Sequence, residues 1–158
     1  MNSKLLFPLM LFCTLLATPS MFSQSSNQSR KQKLVNYNGN VNNPLTSSEL
    51  AQINEVYGST ANKNILSIPQ RLKDIKNILR NRVDIKSISN PSDQKACTLL
   101  SDVPLMDYYV NNLQRDTNFN PQNFNPLKYL FNFYSNGGTQ MYRVDNTSYF
   151  IIIKSQHK

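Results

Sequence analysis

The chain has no tryptophan, one histidine, two cysteines and four glycines among its 158 residues. Each shortage excludes something. The histidine, His157, lies in the polar stretch Ser155-Gln156-His157, where nothing would hold it against a serine, a cysteine or a metal. Histidine-based nucleophilic catalysis and zinc chemistry therefore have no anchor. Gly39, Gly58, Gly137 and Gly138 stand in turns or polar stretches, and none belongs to a phosphate-cradling run. Acids are also scarce: Asp and Glu number 9 against 17 Lys and Arg, for a net charge of +8. They are scattered, so no calcium loop can be read from them. No metal and no cofactor is expected. Helix-turn-helix spacing, RNP-like strands and zinc-finger ligands are missing too, which argues against an intracellular nucleic-acid role despite the charge.

The first apolar run is Leu5–Ala17, LLFPLMLFCTLLA, preceded by Lys4 and followed by small and polar residues. This is the pattern of a secretory signal peptide, and the run is too short for the roughly 20 residues that cross a bilayer. Residues 1–24 are expected to be removed, with Gln24 or Ala17 as the last residue lost. Removal takes Lys4 and no acid, so the mature chain stays basic. It also takes Cys13, leaving Cys97 without an intrachain partner in a compartment that permits disulfides. The expected use of Cys97 is as a small buried apolar residue. The expected location is bacterial and exported, periplasmic or secreted, with no transmembrane segment in the mature chain.

Residues 25–44 are rich in Ser, Asn and Gln and have little to bury, so they read as a disordered polar leader. A single domain is expected over residues 45–156. Thr46-Ser47-Ser48-Glu49 is a capping box for a first helix, with Leu50, Ile53, Val56 and Tyr57 on one face and Gly58 as the exit. Pro69 opens a second helix to about Arg82, with Ile68, Leu72, Ile75, Leu79 and Val83 as its apolar stripe. Its other faces carry Arg71, Lys73, Lys76, Arg80 and Arg82 against one acid, Asp74. These five are the candidate binding residues; a solvated helix face is the plainer reading. Val83–Ile88 alternates like a strand, Ala96–Leu100 reads as a second short strand, and Leu105–Leu113 reads as a third helix.

A tandem repeat follows, Asn118-Phe119-Asn120-Pro121 and Asn123-Phe124-Asn125-Pro126, in which each Phe is expected to anchor a kinked loop. Beyond it, Asn136-Gly137 and Asp145–Ser148 are turn signals. They divide the remainder into three predicted strands, about Leu127–Tyr134, Thr139–Val144 and Tyr149–Lys154. The expected fold is α+β: two or three helices packed on a small antiparallel sheet centred on this C-terminal three-stranded meander. Aromatics concentrate between Tyr108 and Phe150, and Tyr108, Tyr134 and Tyr142 are the candidates for exposed, sugar-stacking faces.

The phrases FNPLKY (Phe124–Tyr129) and YRVDNT (Tyr142–Thr147) resemble the C-terminal part of short exported proteins of Bacteroidota. The resemblance spans Val103–Gln156; the MFSQ ending of the leader and the heavy use of Asn, Lys and Ile are similar as well. It implies export and a compact C-terminal module, and it brings no activity, ligand or site residue. The expected function is a non-catalytic protein of the cell envelope or secretome. It would bind an anionic glycan, a lipid or an envelope protein through the basic helix face. Two alternatives stand beside it. One is a small hydrolase using paired carboxylates, Asp102 with Asp107 or Asp84 with Asp93. The other is a structural subunit of an envelope complex.

Overall fold

Thr46 starts the first helix, α1 (Ser47–Tyr57). Its Oγ1 accepts from the Glu49 amide at 3.2 Å, and Glu49 Oε2 accepts from the Thr46 amide at 2.8 Å. This reciprocal pair satisfies two amides that a helix start leaves without partners. Ile53 and Val56 are fully buried and Tyr57 nearly so, whereas Leu50 stays 38 % exposed. Gly58 ends the helix at φ 50°. A Cβ there would stand 3.0 Å from Val110 Cγ2, so both the backbone angle and the close approach of the 110 loop require glycine.

A computed structural model describes residues 35, 37–134 and 138–157, apart from the side chain of residue 91. The expected signal peptide, most of the leader and the Asn136-Gly137 turn lie outside the described residues. Helix α2 (Pro69–Asn77) opens with Pro69, as expected. It gives way at Ile78 to one wide π-type turn, Ile78–Arg82. A π turn takes an extra residue per revolution, so it rotates the buried face relative to a continuous α-helix. Ile75, Ile78 and Arg82 are buried together, while Leu72, Leu79 and Val83 of the expected stripe are only partly covered.

The sheet has four strands: β1 (Val83–Ser87), β2 (Thr98–Leu99), β3 (Gln140–Arg143) and β4 (Tyr149–Ile153), in the order β1-β4-β3-β2. β4 is central and antiparallel to both neighbours, pairing Ile151 with Ile85 on one side and with Tyr142 on the other. β2 adds to β3 in parallel. The class is α+β, as expected, but the sheet is mixed and is not a C-terminal meander. The strands at Thr139–Val144 and Tyr149–Lys154 form in place; the strand expected at Leu127–Tyr134 does not.

The reason is local. Asn125 Oδ1 accepts from the Leu127 amide at 3.1 Å and caps a 3-10 turn over Pro126–Lys128. Beyond it, the Phe131 amide bonds to Tyr129 O and the Phe133 amide to Phe131 O, both at 2.8 Å. These are i to i−2 bonds, which close small turns instead of a ladder. Tyr129, Phe131 and Phe133 still point into the core, and Leu130 and Tyr134 still point out. The period-two pattern recorded side-chain alternation, not strand pairing. The place beside β3 that a meander would give this strand is taken by β2.

A third helix at Leu105–Leu113 is also absent. Leu105 makes one bridge to Tyr129, and turns follow up to Asn112, which sits at φ 66°. Pro104 and Asn111-Asn112 bracket too few residues to close several helical turns.

Ile151 and Ile153 meet Ile53, Val56, Ile75 and Ile78 in one cluster, so α1 and α2 cover that face of β4. On the opposite face, Phe150 is fully buried, with the Arg143 guanidinium 5.9 Å from its ring centroid. Both repeat phenylalanines act as anchors: Phe119 lies 5.3 Å from Phe124, which stacks on Tyr129 at 5.4 Å. Ile151→Ala removes a side chain from the centre of this packing. It is expected to cost about 2–5 kcal/mol, read as a lower urea midpoint with an unchanged slope.

Candidate functional site

The five basic residues of the second helix do not share one solvent face. Lys76 is 8 % exposed, and its Nζ donates to Asn43 O at 2.7 Å. Arg82 is 5 % exposed; its Nε and Nη2 donate to Lys154 O at 3.1 Å, and Nη2 also reaches Phe133 O. Arg80 forks onto Glu49 at 2.5 and 2.7 Å and donates to the carbonyls of Asn40, Asn43 and Pro44. Lys73 Nζ stands 4.4 Å above the ring of Tyr37. Arg71 is exposed, with one bond from Nη1 to Asn64 O at 3.1 Å.

Much of this charge secures the segment that precedes α1. Residues 39–42 form a 3-10 turn with Val41 buried, and the Asn40 and Asn81 amides exchange hydrogen bonds at 2.8 and 2.9 Å. Tyr37 donates its hydroxyl to Asp74 and accepts from Gln70 at 2.7 Å. Burial first, and Asp74 second, push the Tyr37 phenol up to about 12. The packed region thus reaches back to Tyr37.

Arg71 differs from the other four because it opens into a cleft of about 210 Å³. Tyr57, Tyr109 and Tyr134 line this cleft together with Asn64 and Asp74. Three separate elements supply the tyrosines. Tyr57 is the last residue of α1. Tyr109 comes from the loop that the bare Gly58 admits, and its ring centroid lies 5.0 Å from that of Tyr57. Tyr134 follows Phe133, whose carbonyl Arg82 holds. Tyr134 is 62 % and Tyr109 40 % exposed, so both offer ring surface. Burial, then the neighbouring Tyr109 and Tyr134, raise the Tyr57 phenol to about 12, while Arg71 pulls the other way. The Tyr57 phenol is therefore protonated at neutral pH. Asp74 gives one oxygen to Tyr37 and Gln70, which spreads its charge over two donors. The cleft combines aromatic faces, an amide, a carboxylate and one guanidinium.

Of the tyrosines singled out in the sequence, Tyr134 lies in this cleft, Tyr108 is 72 % exposed, and Tyr142 is half-buried with its hydroxyl on Gln140 at 2.7 Å. Tyr57 and Tyr109 carried only core or helix signals in the sequence. Cys97 is half-buried in a wedge where Lys95–Thr98 and Thr139–Tyr142 diverge. Burial pushes its thiol up and Arg143 pulls it down only in part, which leaves little thiolate at neutral pH. Asp84 pairs with Lys154 at 2.8 Å, and Asp93 accepts from Ser92 at 3.3 Å. Neither these two nor Asp102 and Asp107 line the tyrosine cleft or the wedge. Among the described residues, no group of three His, Cys, Asp or Glu could hold a metal, and no helix is long and apolar enough to cross a membrane.

Comparison with protein families, with curated proteins and with solved structures finds no match to the chain. The site therefore rests on its own geometry.

The Arg80–Glu49 fork is testable by pH. Arg80 holds the Glu49 carboxyl at about 2, below its ordinary 4.5. A depressed carboxylate stabilises the fold above its ordinary value and loses that contribution as pH falls through the folded one. Glu49→Gln is thus expected to lower the melting temperature at pH 7, and the gap to the parent protein should close between pH ~4.5 and ~2. A gap that is constant over this range would show that the fork contributes nothing.

Proposed function

We propose that the protein is an exported, non-catalytic binding protein of the cell envelope or secretome, and that it takes an anionic glycan in the tyrosine cleft. The observation that carries this reading is the position of Arg71. Lys76, Arg80 and Arg82 spend their donors on the protein's own carbonyls and on Glu49, while Arg71 faces an opening walled by three tyrosines. A guanidinium recognises a carboxylate or phosphate with two parallel bonds. Tyrosine rings bring flat apolar area at low entropic cost and a hydroxyl at the edge. That combination suits a sugar ring carrying an acidic group. The excess of Lys and Arg over Asp and Glu, which removal of Lys4 lowers by only one, favours encounter with a polyanion at low salt.

Export rests on the Leu5–Ala17 run and on the resemblance of Val103–Gln156 to exported proteins. The hydrolase reading draws less support, because Asp84 is ion-paired and the Asp93 carboxylate is used within its own turn.

The test is titration with polygalacturonate at low salt. Arg71→Ala and Tyr134→Ala should each weaken binding about tenfold, or ~1.4 kcal/mol, with melting temperatures unchanged. Lys76→Ala and Arg82→Ala should instead lower the melting temperature, because they remove charged donors from the carbonyls of Asn43, Lys154 and Phe133. Unaltered binding by Arg71→Ala would refute the site.

A further inference from the structure

A second cleft, of about 480 Å³, lies at the turn between β3 and β4 and shares no lining residue with the tyrosine cleft. We propose that it is a separate binding site for an uncharged oligosaccharide.

The walls are held in place before any ligand arrives. Asn146 sits at φ 55° in the turn. Thr147 anchors the turn to Val144 O through its amide at 3.2 Å and its hydroxyl at 2.9 Å. Its hydroxyl also accepts from the Tyr149 amide at 3.0 Å. Across the cleft, Ser101 donates to Asp145 from its amide at 3.0 Å and its hydroxyl at 2.6 Å. A site whose walls are already ordered loses less entropy on binding.

The charges in the cleft are already committed. Arg115 directs its guanidinium to Leu100 O at 2.8 Å and to Val103 O, and lies 5.6 Å from the Tyr129 ring centroid. Asp116 pairs with the buried Lys128 at 2.6 Å. The Ser101 bonds hold the Asp145 carboxyl below the usual range, so it is ionised and already hydrogen-bonded. An anionic ligand would find no cation without a partner, and a cationic ligand would have to compete with Lys128 and Ser101.

Neutral recognition groups remain. Phe119 and Tyr149 are half-buried, with ring centroids 5.4 Å apart, and present apolar faces. The side chains of Thr117, Asn118 and Asn146 are exposed at the rim and make no hydrogen bond among the described residues. Aromatic faces set among amides and hydroxyls match a ligand with flat C–H faces and many hydroxyl groups. Hydrolysis is not implied, because glycoside cleavage needs a carboxyl free to act as the acid, and both carboxyls of the cleft, Asp116 and Asp145, are committed to Lys128 and Ser101.

The experiment uses the full chain, labelled with nitrogen-15, titrated separately with maltohexaose, cellohexaose and chitohexaose. At least one should shift the side-chain amide signals of Asn118 and Asn146, with a Kd of ~0.1–1 mM. The shifts should persist at ~0.5 M NaCl, where contacts between exposed charges are screened. Asn118→Ala combined with Asn146→Gly should weaken that binding at least ~fivefold, and Arg71→Ala should leave it alone. Polygalacturonate binding should respond in the opposite way to these variants, so either site can fail without the other. Absence of any shift with all three sugars at ~10 mM would overturn the proposal. So would shifts that vanish with salt, or stronger perturbation of the same amides by free lysine.

Discussion

Burying a guanidinium with no carboxylate beside it costs several kcal/mol unless its N–H groups find acceptors. Arg82 is in that position. It sits where the wide turn after α2 runs into β1, and it is held by carbonyls from two distant segments, Lys154 and Phe133. The Lys154 amide in turn donates to Arg82 O at 2.8 Å, so the link runs both ways. Burial lowers the Arg82 pKa, but the guanidinium stays charged, and the carbonyl dipoles stabilise that charge. Three pieces of chain far apart in sequence are joined there: the helix end, the last strand and the segment leading to Tyr134. The joint depends on the π turn, because a continuous α-helix would rotate Arg82 away from the sheet.

Lys76 and Arg80 work by the same means further up the helix. Each offers donors to carbonyls of the segment before α1, whose polar sequence supplies few apolar groups to bury. Hydrogen bonds to a charged donor are worth roughly 1.5–3 kcal/mol, more than neutral ones. A stretch poor in Leu, Ile and Phe can thus be fixed by cations instead of by a core. This explains why a segment that reads as leader is packed from Tyr37 onward.

Helix starts were legible in the sequence because their signals are local. The capping box at Thr46 and the proline at Pro69 act within one turn of the residues that carry them. Strands β1 and β4 were legible from alternation and from the apolar run Tyr149–Ile153. The second neighbour of β3 was not, since alternation in Leu127–Tyr134 is satisfied equally by a chain of tight turns with its aromatics inward. The free edge of β4 is filled by β1, which the joint at Arg82 holds beside it. The third helix failed for a similar reason: Leu105, Tyr109 and Leu113 have helical spacing, but Leu105 is taken by Tyr129.

The candidate site was legible only at its charged end. Arg71 stood out with four other cations, and composition cannot distinguish a guanidinium that faces solvent from one folded onto a carbonyl. The distinction comes from the π turn that follows α2 and from the position of the segment before α1, both set by tertiary contacts. Tyr57 and Tyr109 looked like interior residues, and Tyr57 is one, although it also lines the cleft. A chain this basic would be expected to recognise ligands by charge alone. Instead Lys76, Arg80 and Arg82 are used internally, and the tyrosine cleft holds aromatic faces, an amide, a carboxylate and one guanidinium. In the proposed binding role those groups would discriminate by shape and hydrogen-bonding pattern, with the net charge acting mainly on the rate of encounter.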